Sequence, residues 1–545
     1  MLRSLAPLGA LALASCHLVI GLDDFEKVES GSTSPSSTSA GGAGGSGAGG
    51  DGGSGGGASP VRWATLFGTS TNTESPAVTP MVALDGGAAL LAGAIDAKEQ
   101  PLFGKPFSAS LNHVTVALLS KANGSAPMTD TLTATPLAAN MKRGFAVASS
   151  PGHVWLAIVG ASDSNVPAPL NVYRDTAGAT MTEVLSIPGL TNIDDLALAA
   201  TAQEPNQGGN LYLAFTESSG NRAVLHRYTI GMGGKVAETP AATLVVKASE
   251  PSKVDTVVAL AASSKAAYLA TKCSNGGRGA PTALPLACLY GLPSNVVGEV
   301  EFNGTSSSPT GEVVRLRLGC TDMATSPLAL TTLGDAPYLA LESACAEVQK
   351  SPGESSASSV FSNYVAGDDI NSFGLLTFAA PTNANSLGTS LASVTSSPPL
   401  SRAPNTAISL AASGAGATAR LLVAGTVDTF PVNTTVPALM KIDPKTPNTS
   451  TALASAKTGS AERQAFLLSL AATLSTIDAK ASVTSATSNV TITSVAASGD
   501  TVLLGGRVEG ELVLGGGTLP PLKGNSGGTP FVTALDAALV DVALD

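Results

Sequence analysis

One pattern recurs along the chain: an apolar run rich in Ala, Leu and Val, a short polar or glycine turn, then a second apolar run that often ends in Leu-Ala or Ala-Gly. The copies run from Met81 to Gly93, Phe145 to Ala157, Val257 to Ala270, Leu328 to Ala340 and Val495 to Gly506. Two more are split by longer turns, Leu196 to Ala200 with Leu211 to Phe215 and Ile408 to Ala412 with Leu421 to Gly425. The pattern predicts seven β-hairpins. Further strand-like runs follow most of them, for example His113 to Leu119, Ala223 to Ile230 and Phe531 to Leu535, so each unit should hold three to four antiparallel strands.

Val61 to Asp545 is 485 residues, or about 69 per unit against the 40 to 50 of a four-stranded propeller blade. The surplus is expected in loops. The fold class predicted is all-β, a seven-bladed β-propeller, in which small residues suit the crowded centre and blades pack face to face. A β-sandwich array or a solenoid of the same hairpins is the alternative.

The segment Leu504-Gly-Gly-Arg-Val-Glu-Gly-Glu-Leu-Val-Leu-Gly-Gly-Gly-Thr-Leu, continuing to Thr529-Pro-Phe-Val-Thr-Ala-Leu-Asp, resembles one repeat of the bacterial propeller proteins with SBBP-type repeats. Leu91 to Ile95, Pro101 to Phe107 and Val114 to Leu119 resemble a second copy. Trp63-Ala-Thr-Leu-Phe-Gly is similar to the strand that follows the aspartate-ended strand of the preceding repeat. This resemblance implies that Val61 to Gly68 pairs with Thr529 to Asp545 and closes a ring.

The N-terminus reads differently. Arg3, the apolar run Leu5 to Ala14 and the small residues Ala14 and Ser15 have the layout of a secretory signal peptide. The run falls well short of the about 20 apolar residues a spanning helix needs. Leu13-Ala14-Ser15-Cys16 resembles the lipobox of bacterial lipoproteins. That resemblance implies diacylglycerol in thioether linkage on Cys16, cleavage before it and acylation of the new amino terminus, a durable anchor. His17, where an aspartate often signals inner-membrane retention, points to the outer membrane. A simple signal peptide with an incidental cysteine is the alternative.

Leu18 to Phe25 resembles the start of myxobacterial surface lipoproteins. It leads to a tract, Gly41 to Gly57, with 12 glycines in 17 residues. Such a chain buries too little apolar surface to offset its ordering entropy, and about 30 residues of it span roughly 30 Å. The expected organisation is a signal peptide over 1–15, a lipid anchor and Gly/Ser-rich tether over 16–60, and the propeller over 61–545.

Charged residues are 13% and aromatics 4%, with a mean hydropathy of +0.26, which points to strands buried on both faces. Without the signal peptide and its Arg3, the balance is 28 minus 40, or −12. That acidity, with no basic patch interleaved with aromatics, argues against nucleic acid. Beyond Cys16 there are four cysteines, Cys273, Cys288, Cys320 and Cys345. An even number in an exported chain favours disulfides, and sequential pairing, Cys273 with Cys288 and Cys320 with Cys345, closes short loops. A four-cysteine zinc site is the alternative, although no C-x-x-C knuckle is present.

Gly52 to Gly56 fits G-x-S-x-G and Gly47 to Gly52 fits G-x-G-x-x-G, but both lie inside the glycine tract and follow from composition. His113, His153 and His226 have no metal-ligand spacing, and Asp194-Asp195 and Asp368-Asp369 lie in no D-x-D-x-D-G loop. No catalytic residue, cofactor or metal is assigned. The reading is an exported, monomeric, membrane-tethered binding scaffold, meeting a protein or glycan through long polar loops between about 270 and 465. An envelope hydrolase or lyase with its site in the propeller channel is the alternative.

Overall fold

The computed structural model describes the chain from Pro60 onward, except for segments that include 67–80, 84–88, 95–113, 120–127, 133–144, 160–167, 275–284, 304–313, 319–324, 350–357, 363–371, 379–393, 402–407, 429–437, 443–449, 456–460 and several shorter ones. The described residues are all-β, with single turns of 3-10 helix between strands. Their strands fall into seven sheets. Each predicted hairpin forms the first two strands of one sheet.

In chain order, the first sheet is Met81–Ala83, Ala89–Ala94, Val114–Leu119 and Met128–Leu132, and the second is Phe145–Ser150, His153–Val159, Ala168–Thr176 and Thr180–Leu190. The third begins Ile193–Ala200, Gly209–Glu217, Arg222–Ile230 and Ala242–Lys247, the fourth Thr256–Ala262, Ala266–Ser274, Pro285–Pro293 and Val314–Leu318. The fifth begins Ser326–Leu333, Ala336–Glu342, Ser372–Phe378 and Val394–Ser401, and the sixth is Ser409–Ser413, Arg420–Asp428, Arg463–Ala471 and Lys480–Val483. The seventh is Asn489–Ser498, Thr501–Leu512, Leu522–Asp536 and, from the other end of the chain, Val61–Leu66.

The first strand of every sheet lies against the first strand of the next, and Asn489–Ser498 lies against Met81–Ala83, so the circuit returns to its start. This is a propeller-type arrangement. Second strands carry apolar side chains at consecutive positions because both of their faces are covered: Trp155, Leu156 and Ala157 are all fully buried. Apolar clusters fill the seams between sheets two and three, three and four, four and five, five and six, six and seven, and seven and one.

Register shifts recur in the first strands, at Asp194/Ala197, Val257/Ala259, Pro327/Ala329 and Ile492/Ser494. A bulge turns one backbone N–H out of the ladder, and the neighbouring sheet supplies an acceptor for it. Val257 N donates to Thr216 Oγ1 at 2.9 Å, and Ile492 N to Thr426 Oγ1 at 3.3 Å. Both threonines are buried on second strands of the preceding sheet.

The predicted ring closure is present. Val61–Leu66 pairs antiparallel with Leu522–Asp536, from Val61 opposite Leu535 to Leu66 opposite Phe531. Asp536 N donates to the Pro60 carbonyl at 2.9 Å, and Thr533 Oγ1 to the Trp63 carbonyl at 2.9 Å. Arg62 then clasps the turn of the seventh hairpin, with Nη2 2.7 Å and Nη1 3.2 Å from the two Asp500 carboxylate oxygens and Nη1 donating to Thr501 Oγ1 at 2.7 Å. Asp536 adds a second carboxylate at 3.4 Å. Arg62 holds the Asp500 carboxyl below the usual carboxylate range.

The expectation of three to four antiparallel strands per sheet requires a correction. The third sheet has five strands and the fourth and fifth have six. Part of the surplus length forms added strands at the outer rim. Gly298–Asn303, which follows the third strand of sheet four, pairs parallel with Ala242–Lys247 of sheet three, tied by Lys247 Nζ to Glu301 Oε1 at 2.7 Å. The hairpin Cys345–Gln349 with Ser358–Ser362, inserted between the second and third strands of sheet five, extends sheet four. Ala438–Ile442 with Ser450–Ser455, inserted at the same place in sheet six, extends sheet five.

Candidate functional site

The elaborated part of the molecule is the sector of sheets three to six. The insertions around 275–284, 343–371 and 429–462 each join a second strand to a third, so the strand ends that carry them lie on one face of three consecutive sheets. Two return to the rim as the added hairpins. The first is anchored at its base by the Cys273–Cys288 disulfide, with Cα atoms 5.9 Å apart and both residues buried in the seam between sheets three and four. A structural disulfide belongs to an oxidising, extracytoplasmic setting. No helix among the described residues is long and apolar enough to cross a membrane.

The first strands, which line the centre, carry apolar and small polar residues; Asp194 and Asp195 are the ionisable groups on them among the described residues. Asp195 sits at the bulge with φ +51°. No group of three metal-ligating side chains occurs among the described residues.

The histidines serve the packing. His226, on a third strand, places Nδ1 2.9 Å from the Tyr228 hydroxyl and its ring edge-on to Phe215, 5.4 Å between centroids. Burial pushes its pKa down to about 4, Arg222 adding to the shift and Glu217 opposing it, so the ring is neutral at physiological pH. His153, at the start of the second strand of sheet two, has Nδ1 3.4 Å from Asp175 Oδ1. His153 Nδ1 makes no hydrogen bond there; the carboxylate accepts from Val154 N at 2.8 Å, which fixes the hairpin turn.

A device absent from the sequence reading joins successive sheets. Trp155, Tyr212, Tyr268 and Tyr338 occupy matching places on four consecutive second strands, each inside the seam to the following sheet. Tyr268 Oη donates to the Asp335 carbonyl at 3.0 Å and Tyr338 Oη to the Ala472 carbonyl at 2.8 Å, each in the next sheet. In sheets two and three the aromatic is backed by an arginine directly opposite on the third strand: Trp155 by Arg174, Tyr212 by Arg227. The guanidinium of Arg174 lies 5.7 Å from the Trp155 ring centroid and donates to the Gly233 carbonyl at 3.3 Å; Arg227 Nη1 donates to the Ser294 carbonyl. A faint signal existed in the repeated aromatic-Leu-Ala triplet at Trp155, Tyr212, Tyr268 and Tyr338, the first two of which are followed by an arginine on the next strand. The turns these arginines hold carry Met232 and Val297, large apolar side chains 79% and 78% exposed.

Of the residues singled out from the sequence, Cys273 and Cys288 meet, and His153 and His226 lie on separate strands of different sheets. Cys16, His113, Cys320, Asp368, Asp369 and the glycine tether lie outside the described residues, as does the side chain of Cys345.

No family model and no curated protein matches the sequence. Solved structures do resemble the fold. A lignostilbene dioxygenase of Pseudomonas brassicacearum is 11% identical over 88% of this chain and 93% of its own, with a TM-score of 0.39. Extracellular domains 1–2 of Drosophila Semaphorin 1a give 10% identity, 86% and 88% coverage and a TM-score of 0.36. An α-L-arabinofuranosidase of Fusarium graminearum gives 12%, 62% and 96%, and 0.32. At these values the likenesses assign no substrate.

Proposed function

We propose that this chain is a seven-bladed β-propeller held to the cell envelope through lipid on Cys16, and that it works as a non-catalytic binding scaffold whose contact surface is the widened sector of sheets three to six. The observation that carries this reading is the placement of the insertions. They concentrate on one face of three consecutive sheets, one is based on a disulfide, and two are stiffened by strand pairing to the neighbouring rim. Binding surfaces are commonly loops presented by a rigid frame, and the seams described above supply that frame. The partner is a protein or glycan of the envelope.

Full-length chain recovered from membranes should capture an envelope component. Replacing the hairpins Cys345–Ser362 and Ala438–Ser455 by short Gly-Ser connections should abolish capture while the thermal transition of the ring persists. Undiminished capture would place the contact elsewhere. Cys16→Ser should remove lipid labelling and release the chain from the membrane fraction. Cys320 lies two residues past Leu318, and Leu318 pairs with Val348 on the strand that begins at Cys345. This supports a second disulfide, Cys320 with Cys345, to be read as one cross-linked peptide in a non-reduced digest.

A further inference from the structure

Arg227 is 4% exposed and reaches from sheet three toward sheet four. Its Nη1 donates to the carbonyl oxygens of Ser294 and, at 3.5 Å, Pro293. No carboxylate among the described residues pairs with it, and its Nε is buried without a hydrogen-bond partner. Directly across the ladder stands Tyr212, fully buried, whose Oη is buried and equally without a partner. Burial holds this hydroxyl in its protonated form, pushing its pKa up to about 12 against the opposing pull of Arg227.

Two donors and one positive charge are therefore enclosed together, and a buried charge ordinarily requires a counter-charge. Ala199, Ala214, Leu225 and Leu269 belong to the same cluster as Tyr212, and the other tyrosine of that cluster, Tyr290, already donates to the Asp255 carboxylate at 3.3 Å. A water accepting from both donors would bring two protons of its own into this setting and would leave the charge uncompensated. An anion accepts from both and neutralises the guanidinium. Sheet two carries the same pair with a different outcome: Arg174 Nε is likewise buried without a hydrogen-bond partner, but the aromatic opposite it leaves no donor unsatisfied. There the half-buried Arg174 lies over the Trp155 ring, and the indole N–H donates to Ser150 Oγ at 2.9 Å. Tyrosine in place of tryptophan gives a smaller ring and a terminal donor.

We propose that Tyr212 Oη and Arg227 Nε hold a small monovalent anion, of the size of chloride, in the seam between sheets three and four. The anion is a structural ligand: it ties the third sheet to the fourth at the boundary of the elaborated sector.

The test uses the full chain in sodium chloride and in sodium gluconate at equal ionic strength. The readings are the thermal midpoint and the excess chloride NMR line width. Chloride should raise the midpoint in a saturable way, by about 1–2 °C at ten times the half-saturating concentration for a chain of this size. Bromide should substitute for it. Tyr212→Phe keeps the ring and removes the donor; it should abolish most of the chloride increment and the excess line width. Arg174→Gln should leave both unchanged. Equal midpoints in chloride and gluconate would overturn the assignment, as would an increment that survives Tyr212→Phe.

Discussion

Replacing Trp63 by alanine tests whether the ring is closed by the strand from the beginning of the chain. Trp63 is 4% exposed and packs with Met81 and Leu119 of sheet one and with Ala496, Leu503, Val532 and Ala534 of sheet seven, so it fills the closing seam from one side. Burying an aromatic of this kind removes about 150–250 Å² from water, which at roughly 25 cal/mol per Å² is about 4–6 kcal/mol. Large-to-small substitutions of buried aromatics cost about 3–5 kcal/mol, and the latter range is the expectation here. Guanidinium unfolding followed by tryptophan fluorescence measures it. The chain has two tryptophans, and Trp155, fully buried in the seam between sheets two and three, survives as the probe. Hydrogen exchange should quicken at the amides of Val61–Leu66 before those of the other sheets. Arg62→Gln, which loosens the exposed side of the same seam, should cost no more than about 1 kcal/mol because Asp500 is largely in solvent. A Trp63→Ala loss below about 1 kcal/mol, with unchanged protection of Val61–Leu66, would refute the closure.

The pKa of His226 lies near 4 in the fold against about 6.5 in the open chain. The unfolded state therefore takes up a proton that the native state refuses, and stability present above pH 6.5 drains away down to about pH 4, by up to about 3 kcal/mol. His226→Phe should flatten that part of the stability profile, and an NMR titration showing the imidazole protonated at pH 6 in the fold would contradict it. Opening the Cys273–Cys288 bridge by the double substitution Cys273→Ser, Cys288→Ser frees a loop of sequence separation 15. Denaturant melts should then show a loss of about 3 kcal/mol.

The hairpins were legible because each is local: Met81 and Leu91, or Leu330 and Leu339, pair across a short turn between two apolar runs. The closing strand was legible through the resemblance of Trp63-Ala-Thr-Leu-Phe-Gly to a repeat strand displaced from its own unit. The added rim strands were not. Ser358–Ser362 and Ser450–Ser455 are serine-rich edges with little apolar periodicity, and the sheets they join lie earlier in the chain. Their pairing is fixed by where the ring places a free edge, which no local window contains. The seam chemistry was hidden for the same reason. Thr216 and Thr426 look like ordinary strand threonines until the neighbouring bulges at Val257 and Ile492 aim an N–H at them. Arg227 reads as a surface cation until sheet four covers it.

The strand Val61–Leu66 is also the place where any pull on the leading part of the chain enters the ring. It starts beside Asp536 and runs antiparallel along Leu522–Asp536, with Arg62 gripping the hairpin turn at the entry point. Force directed along that strand loads its ladder in shear, so the bonds share the strain and must fail together rather than in sequence. A ring completed by this strand would take such a load where its strands are already locked side by side.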